Sequence, residues 1–192
     1  MLIVRQNKMK RLLIFAKWFL MIWGGVALIA VLAIGGFFAY HFAYGNRNRI
    51  DSASPRDVRF VLNWCKLGEN RIEKVVHSYV SSRSFTGDHP DAYAIKITHL
   101  DVKELAAGKD DSEDHWYQGD GLHKVLDEAI AFVGGFVNSG EVPWFPDEKD
   151  LRSSEFYIYP VTIHCYGLRT TAAEIIFVKP SEKMVYYFSG KT

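Results

Sequence analysis

The sequence predicts an α+β protein in which one N-terminal transmembrane helix precedes one globular domain with a mostly antiparallel sheet. Two observations lead to this prediction. An uncharged apolar run extends from Trp18 to Tyr40, and the rest of the chain shows helix-like and strand-like periods that end in a series of strands. We therefore divide the chain into a basic tail at 1–17, a transmembrane segment at 18–44, a short linker at 45–54 and a domain at 55–192.

The apolar run is long enough to cross a membrane. A bilayer core of about 30 Å requires about 20 helical residues, and the run is longer than that. A cleaved secretory signal has an apolar region of only about 7–15 residues before a small-x-small site such as Ala43-Tyr44-Gly45. We therefore expect an uncleaved signal-anchor, and a cleaved signal and a buried core helix are the alternatives.

The basic residues that flank the run predict its orientation. Five of them lie in residues 1–17 and four in residues 45–59, whereas the first acidic residue is Asp51. Because positive charge tends to stay on the cytoplasmic side, we expect a cytoplasmic N-terminus at an inner (plasma) membrane. The C-terminal domain is then periplasmic or extracellular. Met9 is an alternative translation start to Met1.

The membrane segment also contains small residues at intervals of four, at Gly35, Ala39 and Ala43. Such spacing allows two helices to approach closely. It therefore predicts a homodimer through this stripe, in addition to contact of residues 18–44 with the lipid bilayer. The ordinary abundance of glycine and alanine in membrane helices is the alternative explanation.

The first half of the domain predicts a helix and then a hairpin. Ser54-Pro55 is typical of a helix start, and apolar residues from Val58 to Cys65 share one helical face. Residues 72–85 fit a strand or a helix, because both periods occur there. The turn residues at 86–90 lead into a clear strand at 93–98, so we favour a hairpin.

The second half predicts an amphipathic helix at 122–137, followed by a meander. A short helix at 101–107 and an acidic surface loop at 109–121 precede this helix, and a proline-bracketed loop at 141–150 follows it. Two or three helices are thus expected to pack on the sheet. The meander is assigned to three strands at 155–166, 171–178 and 184–188.

The composition of the domain excludes some functions. All 22 acidic residues and all but five of the 23 basic residues follow the apolar run, so the domain is negatively charged. This is not typical of nucleic-acid binding, and we expect another envelope protein as the partner. The seven histidines lack the short spacings of zinc ligands, so no metal site and no cofactor is predicted. The sequence also lacks GxSxG, SxxK and phosphate-binding glycine motifs.

Two segments are candidates for binding a partner. Arg83, Asp88 and His89 gather charge and an imidazole at the end of the predicted hairpin, although turn residues also bond their own chain. Trp144 and Phe145 lie between two prolines, where aromatic side chains either anchor an interface or fold back onto the core.

Cys65 and Cys165 are the only cysteines, and each falls on a predicted apolar face. In an oxidising exterior they predict a disulfide, which would close a loop of about 100 residues and stabilise the fold by several kcal/mol. Two buried free thiols are the alternative.

These patterns favour a binding function. We expect a membrane-anchored envelope protein whose external domain binds another protein as an assembly, accessory or immunity-like module. The alternative is a membrane-tethered hydrolase with a site built from histidines and Asp88. An enzyme is the less favoured of the two, because the sequence contains no catalytic spacing.

Overall fold

The computed structural model describes residues 2–40, 46–84, 86–106, 115–167 and 169–192, with the side chains of the first helix described from Ile14 onward. The chain forms two units, residues 1–46 and 47–192, and each is described by itself. The first contains one apolar helix, and the second contains an antiparallel sheet with several helices. The predicted α+β class is confirmed at this level.

Helix α1 spans Leu2–Tyr40. All of its described side chains are exposed, and the 27 residues from Ile14 to Tyr40 are long and apolar enough to cross a membrane. A helix on the surface of a soluble protein keeps one polar face, which this stretch lacks. A membrane anchor and a signal sequence share these properties. In the predicted small-residue stripe, Gly35 and Ala39 lie on α1 and Ala43 lies outside the described residues.

The second unit is built on a sheet. Its strands are β1 Arg49–Ile50, β2 Ile72–Val80, β3 His89–Ile97, β4 Tyr117–Gln118, β5 Tyr157–Tyr166, β6 Arg169–Lys179 and β7 Met184–Lys191. The order across the sheet is β1-β2-β3-β7-β6-β5-β4, and all neighbouring pairs are antiparallel. The predicted hairpin (β2 and β3) and meander (β5 to β7) are both present, and β3 joins them by pairing with β7.

Four α-helices follow α1 in the described residues, and the side chains of His123 and Asp147 cap two of them. They are α2 Arg59–Trp64, α3 Val102–Ala106, α4 Lys124–Val137 and α5 Glu148–Leu151. α2 starts later than predicted, because the Asp57 carboxylate accepts hydrogen bonds from the N–H and the hydroxyl of Ser54 (2.8 and 2.7 Å). α5 lies where the sequence predicts a loop, and Asp147 caps it by accepting the N–H of Asp150 at 2.8 Å.

Both faces of the sheet carry a buried core. On one side, α4 packs on alternate strand residues such as Tyr186 and Phe188; on the other side, α2 packs on Val185 and Tyr187. We call these sides the α4 face and the α2 face. Because both sides are covered, β6 contains an uninterrupted buried apolar run at 175–178 instead of an alternating pattern.

Two bulges in β2 change the direction of its side chains. The register with β3 shifts between Ile72 and Lys74 and again between Val75 and His77. Val75 packs in the core of the α2 face, whereas Val76 packs in the core of the α4 face and His77 contacts a residue of that core. A bulge inserts one extra residue and re-aims the side chains around it, so two consecutive residues point to the α4 face.

Residues 47–54, which the sequence predicts as part of a linker, belong to the second unit. β1 pairs with Tyr79 and Val80. The N–H of Asp51 donates to the carbonyl of Ser78 at 2.8 Å, and the carboxylate of Asp51 accepts the N–H of Ser78 at 2.9 Å. This segment therefore forms one edge of the sheet.

Cys65 and Cys165 are both free thiols, so the expected disulfide is not present in the structure. Cys65 is 2% exposed in the core of the α2 face, and burial raises its pKa to about 12. Cys165 is exposed, so the expectation of a buried thiol is wrong for this residue. The register of β5 shifts between His164 and Cys165, which interrupts the alternation on which that expectation depends.

Candidate functional site

Two concave surfaces of the described domain contain predicted site residues. One lies on the α4 face and contains Trp144; we call it the Trp144 groove. The other lies on the α2 face beside the end of the hairpin and contains His89; we call it the polar cup. Because the sheet separates them, they are distinct candidate sites.

The Trp144 groove has a volume of about 600 Å³. Its floor consists of Val76, Ala94 and Tyr186 from three neighbouring strands. Charged residues of both signs surround this apolar floor: Glu73, Lys96, Glu182 and Lys183. The groove thus combines an apolar centre with a charged rim.

Two lysines fix the turn that forms one side of the groove. Lys96 Nζ donates to the carbonyl of Glu182 at 2.6 Å, and Lys183 Nζ donates to the carbonyl of Thr98 at 3.3 Å. Both bonds connect the end of β3 with the turn between β6 and β7. Since an ammonium group has three donors, each lysine retains capacity for a further acceptor.

Trp144 is half-buried at the opposite side of the groove. Its ring lies nearly parallel to the His77 imidazole, with a centroid distance of 5.3 Å and an angle of 20°. His77 Nδ1 is in turn 3.5 Å from a carboxylate oxygen of Asp51. The bulge in β2 places His77 against the tryptophan, so the sheet holds an indole ring in a fixed position that remains partly accessible.

Phe145 faces the core. It is 4% exposed, and its ring centroid lies 6.0, 5.6 and 6.3 Å from those of Phe177, Tyr186 and Phe188. Of the two roles predicted for these aromatics, interface anchor or part of the core, Phe145 therefore has the second. Trp144 alone of this pair lines the groove.

The polar cup forms where four strands present polar residues side by side on the α2 face. Its cavity has a volume of about 340 Å³. Glu174 and Ser189 lie two positions from Ile176 and Tyr187, which pack on the α2 face, so they point to the same side. Two rows of register partners line the cup: Thr162, Glu174 and Ser189, and then His164, Ala172, Lys191 and His89. Asp91 is the partner of Ser189 on β3 and lies next to the first row.

Arg83 and Asp91 form a bidentate ion pair beside the cup. The two guanidinium nitrogens lie 2.8 and 2.5 Å from the carboxylate oxygens. Asp91 is 8% exposed and also accepts the N–H of Ser81 at 3.3 Å. The hydrogen bonds to Asp91 raise the pKa of Arg83. Arg83 therefore holds Asp91 in place beside the cup.

His89 and Ser189 meet inside the cup. His89 Nδ1 lies 2.8 Å from the carbonyl oxygen of Gly87, and Nε2 lies 3.3 Å from Ser189 Oγ. Since a carbonyl only accepts, Nδ1 carries the hydrogen and Nε2 is the acceptor in the neutral imidazole. Ser189 is 6% exposed, and its Oγ also lies 3.4 Å from a carboxylate oxygen of Glu174; its single hydrogen can be donated to Glu174 or to Nε2, but not to both at once. An imidazole, a hydroxyl and a carboxylate thus converge here.

Asp88 does not line the cup. Its carboxylate accepts the hydroxyl of Thr86 at 2.5 Å, and its N–H donates to the hydroxyl of Ser84 at 2.8 Å. These bonds close the turn of the hairpin. Asp88 therefore bonds to its own turn, which is the alternative to a role in binding.

Most residues of the cup are not recognisable as site residues from the sequence. The missed residues are Thr162, His164, Glu174, Ser189 and Lys191. The available signal is the alternation of polar residues near the ends of several strands. That signal specifies no site by itself, because the cup depends on which strands are neighbours and on their register.

The histidines of the two sites do not form a metal centre. Within the residues that the structure describes, no group of three or more His, Cys, Asp or Glu side chains is arranged to hold a metal ion. Comparison with known proteins adds no assignment: no protein family, no curated protein and no solved structure matches this chain.

Proposed function

We propose that this protein is anchored in an inner (plasma) membrane by the apolar part of α1 and binds another envelope protein through the Trp144 groove. In this proposal the domain lies outside the cytoplasm and serves as an assembly, accessory or immunity-like module. The observation that carries it is the half-buried indole of Trp144, held by His77 beside an open groove with charged residues around it.

The exposed apolar surface of α1 supports the anchor. In water, such surface is unfavourable by about 25 cal/mol for each Å², whereas a bilayer solvates it. Lys17 is the only charged residue between Ile14 and Tyr40. It lies near one end of the stretch, where a lysine side chain can extend its ammonium group to the headgroup region.

The residues of the Trp144 groove support protein binding. Protein interfaces combine a desolvated apolar centre with a polar rim, and tryptophan is enriched among the residues that dominate binding energy. Val76 and Tyr186 add apolar area beside Trp144, while Glu73 and Lys183 supply opposite charges. The expected occupant is a protein segment that inserts an apolar side chain beside the indole and places charges on the rim.

Binding through side chains is favoured over the addition of a strand. β1 pairs only with Tyr79 and Val80, so most of β2 has no partner strand on its outer side within the described residues. However, β2 contains two bulges, and Glu73 and Lys74 are charged and exposed. Bulges and charges on an edge strand oppose regular pairing with another chain.

A membrane-tethered hydrolase is the second candidate, and the contact between His89 Nε2 and Ser189 Oγ is the observation that favours it. A serine nucleophile needs a base of this kind, but it also needs donors for the developing oxyanion. β7 is paired on both sides at Ser189, so the N–H groups of that strand are used in the sheet. We therefore place binding before hydrolysis.

Photo-crosslinking in native membranes tests the groove. A photoreactive residue at position 183, on the rim, is expected to give a discrete adduct with a partner protein, and the same residue at position 128, on the surface of α4, is not. Trp144→Ala should reduce the affinity for the partner by about 2 kcal/mol, or roughly 30-fold, and the yield of the adduct should fall accordingly. Tyr166→Ala is the matched control, because Tyr166 is an exposed aromatic outside the groove (86% exposed).

Equal adducts from positions 183 and 128, or an adduct that survives Trp144→Ala, would contradict the groove. The anchor is tested separately. Carbonate washing should leave the protein in the membrane, and a phosphatase reporter fused after Thr192 should be active. A mature N-terminus near Asn46 would instead identify α1 as a cleaved signal.

A further inference from the structure

The polar cup contains two opposite charges that are not paired with each other. Lys191 Nζ donates a hydrogen bond to the carbonyl of Thr86 at 3.4 Å. The carboxylate of Glu174 has the hydroxyl of Ser189 as its partner, at 3.4 Å. No ion pair joins either residue to another described residue, so both charges remain available at the cavity.

The register places these two charges on either side of a depression. Glu174 is opposite Ser189, and Ala172 is opposite Lys191, on the neighbouring strands β6 and β7. Glu174 and Lys191 are therefore diagonal neighbours, whose positions are about 7–8 Å apart. Ala172 is next to both of them, opposite Lys191 and two residues from Glu174 on the same strand. It carries only a methyl group, which leaves space above the sheet.

The charge arrangement selects among ligand classes. A simple anion would be attracted by Lys191 and repelled by Glu174, and a simple cation would experience the reverse. A molecule with an ammonium group and a carboxylate satisfies both at once. Thr162, His164 and His89 line the same cavity and supply further donors and acceptors to such a molecule.

We propose that the polar cup binds a small zwitterion of the amino-acid class. The ammonium group lies at Glu174 and Ser189, the carboxylate lies at Lys191 and His164, and the α-carbon lies over Ala172. A cavity of about 340 Å³ falls at the small end of the range for ligand pockets. This binding site lies on the opposite face from the Trp144 groove and does not depend on it.

Calorimetric titration of the full chain in detergent tests this proposal. The probes are a panel of free L- and D-amino acids and dialanine, each compared with its N-acetylated and its amidated form. At least one free member is expected to bind, and blocking either end should weaken it roughly tenfold or more, because each charge-assisted hydrogen bond is lost.

Variants assign the two ends. Glu174→Gln should remove the preference for a free ammonium group, and Lys191→Met should remove the preference for a free carboxylate. Glu128→Gln and Lys74→Met are matched controls on exposed positions outside the cup. Ala172→Leu fills the depression without a change of charge and should abolish binding. If a charge variant fails to fold, this variant still tests whether the ligand occupies the cup.

Three results would overturn the proposal. They are the absence of binding by every free probe, equal binding of the blocked and free forms, and tighter binding of inorganic phosphate than of any zwitterion. Trp144→Ala should leave the titration unchanged, so failure of this proposal is distinguishable from failure of the groove.

Discussion

Truncation of the two adjacent aromatics, Trp144 and Phe145, should separate a surface anchor from a core residue. Phe145 is 4% exposed among Phe177, Tyr186 and Phe188. Phe145→Ala is therefore expected to lower the free energy of unfolding by about 3–5 kcal/mol. Since domains of this size have total stabilities of about 5–15 kcal/mol, this is a large fraction.

The expected effect at Trp144 is smaller. One face of its ring is covered by His77 and its edge contacts Phe145, but the side chain is only half-buried. Trp144→Ala then removes about half of the apolar contact of a buried aromatic, which corresponds to about 1–2 kcal/mol. With about 2–4 °C for each kcal/mol, the unfolding temperature should fall by roughly 5 °C for Trp144→Ala and by roughly 10 °C or more for Phe145→Ala.

Thermal unfolding of the full chain, followed by circular dichroism, measures both changes. Phe145→Leu is the conservative control and should cost less than Phe145→Ala, because it retains more of the buried apolar volume. Tyr166→Ala should stay within about 0.5 kcal/mol of the parent. If Trp144→Ala destabilises the domain as much as Phe145→Ala does, Trp144 is a core residue. The Trp144 groove then loses its proposed anchor.

The two thiols, Gly190 and the buried Tyr79 each allow a separate test of the fold. Iodoacetamide should label Cys165 in the folded protein, because it is exposed, but not Cys65, whose raised pKa keeps the buried thiol neutral. Labelling of the folded Cys165→Ser variant would show that Cys65 is accessible and would contradict this prediction. If Cys165 is labelled only after a reductant is added, the two cysteines form the disulfide expected from the sequence. Gly190→Ala should destabilise the domain by about 1–3 kcal/mol in chemical denaturation, because a Cβ atom there would lie 2.6 Å from the Phe188 ring. An unchanged denaturation midpoint would show that the Phe188 ring moves aside at no cost, which would contradict this prediction. Burial, with a hydrogen bond to Glu141, raises the pKa of Tyr79 to about 12 from 10.0, so its contribution to stability is complete below pH 10 and is lost as the pH rises towards 12. Tyr79→Phe should reduce the loss of stability over that interval, and an identical pH profile for parent and variant would refute the role of this tyrosine.

Local patterns were sufficient for the elements that repeat one period over many residues. The charge-free run predicts α1, the amphipathic pattern predicts α4, and the apolar runs predict the strands of the meander. Residues 72–85 were ambiguous for a physical reason: the two bulges in β2 interrupt the period of two, so the sequence matches a helix as well as a strand. The two-residue strands β1 and β4 are too short to produce any period.

The candidate sites were less predictable because they depend on contacts between distant parts of the chain. The composition of the hairpin end correctly directs attention to His89. Its partner in the cup, Ser189, lies 100 residues away in sequence and is a neighbour only because β3 pairs with β7. Likewise, Trp144 is half-accessible and Phe145 is buried although both lie between the same two prolines, and only the packing of the loop distinguishes them.

Bulges link the two sites to the fold. In β2, the shift between Val75 and His77 directs His77 towards Trp144. In β5, the register with β6 shifts between Pro160 and Thr162, and Val161 and Thr162 both point to the α2 face, the first into the core and the second into the cup. A regular strand would direct one member of each pair to the opposite side. In both strands, the register shift is therefore what places a polar residue, His77 or Thr162, at a concave surface.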